Sequence, residues 1–138
     1  MSQKVQKYPL DEFYDEFPDL KKYNVELFLD VTNKKIAKGI INELKSKKKK
    51  FKRILYVALS NQYNRELYSL EEKNITAMKF KGKFNNNLRI YCKECFKDGK
   101  KIIMINYLHK ATQKNKEDHK IVNIIDQIKK YTYDEFEK

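Results

Sequence analysis

The chain has 138 residues, 41% of them hydrophobic, with 31 Lys and Arg against 19 Asp and Glu for a formal net charge of +12. That length fits one domain, spanning 1–138, with a core large enough to fold without a disulfide or metal staple. No apolar run approaches the ~20 residues that cross a bilayer, and Met1-Ser2-Gln3-Lys4 leads into polar sequence rather than a signal peptide; the expectation is a cytoplasmic protein with no membrane partner.

The charge is unevenly spread. Residues 1–19 sum to −3 and 132–138 to −2, so the body, 20–131, holds 28 bases against 11 acids, or +17. A basic body between acidic ends suits a polyanion, nucleic acid before an anionic surface. Lys and Asn are abundant throughout, as in proteins of AT-rich genomes, so the scattered lysines carry less meaning than the clustered ones.

In chain order, the first ten residues read as loosely ordered. Leu10, Phe13, Tyr14 and Phe17 have helical spacing, which Pro18 interrupts. Val25 to Val31 is apolar and short, helical or extended. Thr32 or Asn33 can cap a following helix that buries Ile36, Ala37, Ile40, Ile41 and Leu44. That helix is expected to end in the cationic run 45–53, where lysines favour the macrodipole; Lys48 and Lys49 are equally candidates for nucleic-acid contact. Leu55, Leu59, Tyr63, Leu67 and Leu70 step by about four, which predicts a second long helix over 54–73, packed on the first as an N-terminal helical hairpin.

The period then falls from four to two. Strands are predicted over 75–83, 88–96 and 101–108, the last two joined at Asp98-Gly99, a strong hairpin signal. The third is apolar on both faces, so it belongs in the interior of a sheet. A polar connection over 109–116 leads to a closing helix over 118–131 that buries Ile121, Ile124, Ile125 and Ile128. The fold class is α+β: a helical hairpin on a small antiparallel meander, with a C-terminal helix.

Alternation along 75–83 points Lys79, Lys81 and Lys83 one way and Met78 and Phe80 the other. With Arg89 on the next strand, these cations repel unless an anion joins them, which suggests a phosphate site. Cys92 and Cys95 form one C-x-x-C, which is short of a four-ligand zinc site; three apart on a strand they face opposite sides, so buried free thiols are the better reading. No Gly-rich phosphate loop, paired carboxylates or metal-ligand cluster is evident. No cofactor or metal is therefore expected.

Four blocks in order resemble the RelE/ParE superfamily of bacterial toxins, in its HigB-like, phage-associated branch. They are Val25-Glu26-Leu27-Phe28-Leu29-Asp30 with the helix from Lys34 to Leu44, then Ile75-Thr76-Ala77-Met78-Lys79, then Leu88-Arg89-Ile90-Tyr91, then Lys110-Ala111-Thr112-Gln113-Lys114. Lys79 stands where the family has arginine, and Ala111 replaces a lysine of the loop. The resemblance implies a toxin of a type II toxin–antitoxin pair: a metal-independent messenger-RNA endonuclease, ribosome-associated, that inhibits translation and is held by a cognate antitoxin. It implies Lys79, Lys81, Arg89 and Lys110 as catalytic cations, with Lys114 in the terminal basic loop. His119 is a candidate acid or base at neutral pH, and His109 is the other imidazole. Lys83 and Lys116 are candidate RNA contacts. ParE-like relatives that bind DNA gyrase without cleaving RNA, and a non-catalytic RNA-binding protein of a mobile element, are the alternatives.

Overall fold

Period-two alternation organises the centre of the fold. The computed structural model describes residues 3–81, 87–111, 118–133 and 136, with the backbone alone at Lys81, Asn87, Ala111, Asp118 and His119. Six strands form one open sheet: β1 (Val5–Lys7), β2 (Val25–Asp30), β3 (Tyr68–Glu72), β4 (Ile75–Lys81), β5 (Asn87–Lys97) and β6 (Lys100–Ala111), in the order β1-β2-β6-β5-β4-β3. The class is α+β. The sheet is larger than a three-stranded meander and is mixed, because β2 runs parallel to β6 while every other pair is antiparallel.

The chain from Gln3 to Tyr8 is tied down rather than loose. Val5 pairs with Asp30, and the Lys4 N–H donates to Thr32 Oγ1 at 2.7 Å. Helix α1 (Asp11–Glu16) and a 3-10 helix (Pro18–Tyr23) follow, with Pro18 in the first turn, where its missing N–H costs nothing. The segment left open between helix and strand is β2.

Asn33 caps α2 (Lys34–Ser46), its side chain accepting from the Ile36 N–H at 3.1 Å. Helix α3 (Lys48–Leu59) starts directly after Lys47. The helix expected over 54–73 therefore begins earlier and stops at Leu59. Asn61 takes a left-handed φ of 59°, and Tyr68–Glu72 is strand. Leu70, apolar at helical spacing, is 50% exposed, while Tyr68 is buried. The helical spacing across this stretch is coincidental, and asparagine turn chemistry overrides it.

The Lys-rich run also changes meaning. Its first lysines, Lys45 and Lys47, end α2 as expected, but the rest of the run opens the next helix. Lys48, Lys49 and Lys50 sit in the first turn of α3, where the dipole disfavours cations and no side chain caps the helix.

Asp98 and Gly99 both have positive φ, 54° and 76°, as a two-residue hairpin turn between β5 and β6 requires. Strand β6 lies inside the sheet between β2 and β5, as its apolar run implied. Helix α4 (Asp118–Lys130) matches the predicted closing helix.

The two faces of the sheet are covered differently. One carries α1, α2 and α3 over the main core, including Leu27, Ile40, Ile54, Met78, Ile90 and Ile103. The other carries α4, whose Ile124 and Ile128 pack on Ile75, Ala77 and Tyr91. Cys92 belongs to the first core and Cys95 to a cluster on the opposite face, and both are buried free thiols.

One irregularity decides the facing of the last residues of β6. Tyr91 pairs with Tyr107, but Cys92 pairs with Ile105, so Asn106 is an extra, unpaired residue. This β-bulge reverses the alternation beyond it. Met104, Tyr107 and His109 thus share the α4 face, and Lys110 turns to the other side.

Candidate nucleic-acid interface

Register brings Lys79, Arg89 and His109 into a single row across β4, β5 and β6: Lys79 pairs with Arg89, and Arg89 with His109. The row lies on the α4 face, next to the row of buried Ala77 and Tyr91 and half-buried Tyr107. Like charges directly opposite on a ladder are destabilising, so the Lys79–Arg89 pair needs local neutralisation.

Part of it comes from Glu71. The β3–β4 register shifts between Leu70 and Glu72, leaving Glu71 at a bulge, a device that re-aims a side chain. Its Oε1 lies 3.5 Å from Arg89 Nη1. That is an ion-pair contact, and the oxygen accepts no hydrogen bond among the described residues. Lys79 Nζ donates to the Arg65 carbonyl at 3.0 Å. Tyr91, beneath the row, has its hydroxyl pushed above the usual phenol range by burial, with the Arg89 charge opposing. His109 is buried beside Arg89.

A carboxylate and a guanidinium thus meet, with an ammonium and an imidazole on the flanking strands of the same row. Metal-free cleavage of RNA needs those kinds of group: a base for the 2′-hydroxyl, cations for the phosphorane and an acid for the leaving oxygen. Glu71 is hidden from sequence pattern because the leucine spacing that predicts a helix runs across it. The signal that would have found it is the Asn61-to-Asn64 turn, which forces a strand after it.

Of the residues singled out from sequence, Lys79 and Arg89 come together. Lys81 ends β4, its backbone paired with Asn87. Lys110 does not join them. It faces α2, where its Nζ is 3.0 Å from Glu43 Oε1. Glu43 is held below the ordinary carboxylate value by its hydrogen bond from Lys47 and, after the opposing cost of burial, by Lys110. Lys48 and Lys49 are exposed at the start of α3. His119 lies in the first turn of α4, while Lys129 in the last turn pairs with Glu72. Lys83, Lys114 and Lys116 lie outside the described residues.

A second polar cluster has no counterpart among the sequence expectations. On the α2/α3 face, Glu94 and Lys101, 2% and 5% exposed, pair at 2.9 Å. Tyr63 and Tyr68 donate to the two oxygens of Glu94 at 2.6 and 2.7 Å, and Thr76 donates to Tyr68 at 2.9 Å. Lys101 also donates to Asn61 Oδ1 at 3.1 Å and lies 4.6 Å from the Tyr63 ring centroid. Burial, followed by the Glu94 charge, pushes the Cys92 thiol far above its ordinary range, so that sulfur stays protonated. This cluster is closed and internally satisfied.

Comparison with family models, with curated proteins and with solved structures gives no match to this chain.

Proposed function

We propose that the protein is a metal-independent endoribonuclease acting on messenger RNA, in association with the ribosome, and that it inhibits translation as the toxin of a toxin–antitoxin pair. The observation that carries this reading is the cross-strand row of Lys79, Arg89 and His109 with Glu71 turned toward Arg89. Glu71 takes the 2′-hydroxyl proton, and the 2′-oxygen attacks the adjacent phosphorus. Lys79 and Arg89 offset the charge that builds on the phosphorane. His109 protonates the departing 5′-oxygen, leaving a 2′,3′-cyclic phosphate and a 5′-hydroxyl. Lys81 is the last residue of the same strand, and Lys48 and Lys49, at the start of α3 on the other side of the sheet, offer a separate basic surface for the RNA backbone or the ribosome. Lys110 is left out of the chemistry because it faces α2.

The family resemblance supplies the remaining parts of the proposal: a cognate antitoxin that covers the basic face, and a cytoplasmic site of action, where messenger RNA is translated. A non-catalytic RNA-binding protein is the second reading. It is favoured by the contacts that already engage the two main cations, Lys79 with the Arg65 carbonyl and Arg89 with Glu71.

Induction in a bacterium, with primer extension on transcripts, separates the readings. The ribonuclease produces new 5′ ends that vanish with Arg89→Ala and Glu71→Gln. Growth arrest with intact transcripts and inhibited supercoiling would point instead to gyrase binding. RNA binding without new ends would leave the non-catalytic reading.

A further inference from the structure

Strand β2 ends at Asp30, whereas β6 runs on to Ala111, so the ladder between them opens at the Asn106 bulge. A cavity of about 390 Å3 lies there, lined by Asp30, Thr32, Asn106, Tyr107, Gln127 and Tyr131 among others. In a chain with 31 Lys and Arg, none of the described lining residues is cationic. With a buried carboxylate in its wall, this cavity does not suit a phosphate.

Its chemistry is set by Asn106, which is 5% exposed. The Asn106 Nδ2 donates to the Tyr133 hydroxyl, which donates to Asp30 Oδ2 at 2.7 Å. Asp30 also accepts from Gln3 Nε2 at 2.9 Å and from the Thr32 N–H at 2.9 Å. Because the carboxylate takes the Tyr133 proton, Tyr133 must accept from Asn106, and this fixes which way the amide points. Asn106 Oδ1 is left buried with no partner among the described residues. An unmet oxygen beside a polar cavity is a place for an incoming N–H or O–H donor.

We propose that this cavity seats one base of the RNA strand whose phosphate lies on the Lys79–Arg89–His109 row, and that it prefers guanine. The inference rests on the RNA reading above and adds a base-recognition site to it. Tyr107 shares a face with His109 and is two residues away, about 7 Å along the strand. Base site and phosphate site therefore lie on one short path. Tyr107 and Tyr131 supply aromatic surface for the base. Guanine alone presents two adjacent donors, the ring N1–H and the 2-amino group. These match Asn106 Oδ1 and the remaining acceptor capacity of the Asp30 carboxylate. Adenine and cytosine offer an amino group beside a bare ring acceptor, and uracil a single N–H between two carbonyls.

The test uses the full chain and labelled 2′-O-methyl hexamers, which cannot be cleaved because the nucleophile is blocked. The hexamers carry guanosine, inosine, adenosine, cytidine or uridine at one position. Guanosine is expected to bind tightest, with inosine, which lacks the 2-amino group, about tenfold weaker. Guanosine monophosphate should also shift the Asn106 side-chain amide resonance of the wild-type protein. Asn106→Ala should bring guanosine and inosine together; should that variant not fold, the wild-type comparison decides alone. Equal affinity for all five hexamers overturns the base site and leaves the RNA reading standing. No binding to any hexamer overturns both. An Asn106 resonance that moves with N-acetylarginine amide but not with the nucleotide assigns the cavity to a peptide partner, and overturns the proposal.

Discussion

The sheet holds two charge clusters on opposite faces, and they are built on opposite principles. Glu94 and Lys101 are buried, and both oxygens of the carboxylate and the ammonium have partners from Tyr63, Tyr68 and Asn61. Lys79 and Arg89 stand opposite each other on adjacent strands, half-buried, with one longer ion-pair contact to Glu71. The first cluster spends its hydrogen-bonding capacity internally, so it specifies structure. The second keeps cations in excess over acids where solvent can reach them, so it has capacity left for an anion. In a chain with this many lysines, the number of cations at a site says less than whether their charge is already answered.

Removing one partner from the closed cluster should have the largest effect. Lys101→Ala leaves a buried carboxylate and is expected to destabilise the protein by about 3–5 kcal/mol in urea unfolding. If Lys101→Ala and Lys79→Ala cost the same, the distinction between the clusters fails. The open cluster should respond in activity instead. Arg89→Ala or Glu71→Gln is expected to slow cleavage about 100- to 1,000-fold, while stability in urea changes by under ~1 kcal/mol.

Alkali should also act on the closed cluster. Burial holds Tyr68 well above its ordinary value of 10.0, with the neighbouring Glu94 carboxylate adding. The unfolded chain releases that proton near pH 10 and the native chain does not. This contribution to stability is therefore intact below pH 10 and declines above it, by about 1.4 kcal/mol per unit. Tyr68→Phe should flatten the decline measured between pH 9 and 11.

Smaller effects sharpen the comparison further. Lys110→Ala breaks only an exposed pair with Glu43, so it should cost under ~1 kcal/mol and leave the cleavage rate unchanged. A rate loss like that of Arg89→Ala would return Lys110 to the site. Lys49→Glu, at the unfavourable end of the α3 dipole, should stabilise by about 0.3–1 kcal/mol. The same change should weaken RNA binding and reduce its salt dependence if the α3 surface lies on the RNA path.

Much of the architecture was legible from periodicity. The alternation of β4 and β5, the Asp98-Gly99 turn, the interior place of β6 and the stripe of α4 all follow from local pattern, because side chains on a pleated strand or a helix have little choice of face. Half of the open cluster was legible for the same reason, since Lys79 and Arg89 are on regular stretches of strand. Glu71 was not, because a helical spacing of leucines ran on past the end of α3 and hid a strand. The Glu94–Lys101 pair was not legible either, since neither residue interrupts the alternation around it and their contact spans a hairpin.

The sequence by itself determined strands β4, β5 and β6, the capped helix α2, the class of the fold and the basic character of the chain, all of which rest on neighbours a few residues apart. The tertiary structure alone decided which charges meet. Inserting Asn106 as a bulge reversed the facing of everything after it in β6, carrying His109 to Arg89 and turning Lys110 away to Glu43. A bulge is chosen by pairing with another strand, and no local pattern of apolar and polar residues records it.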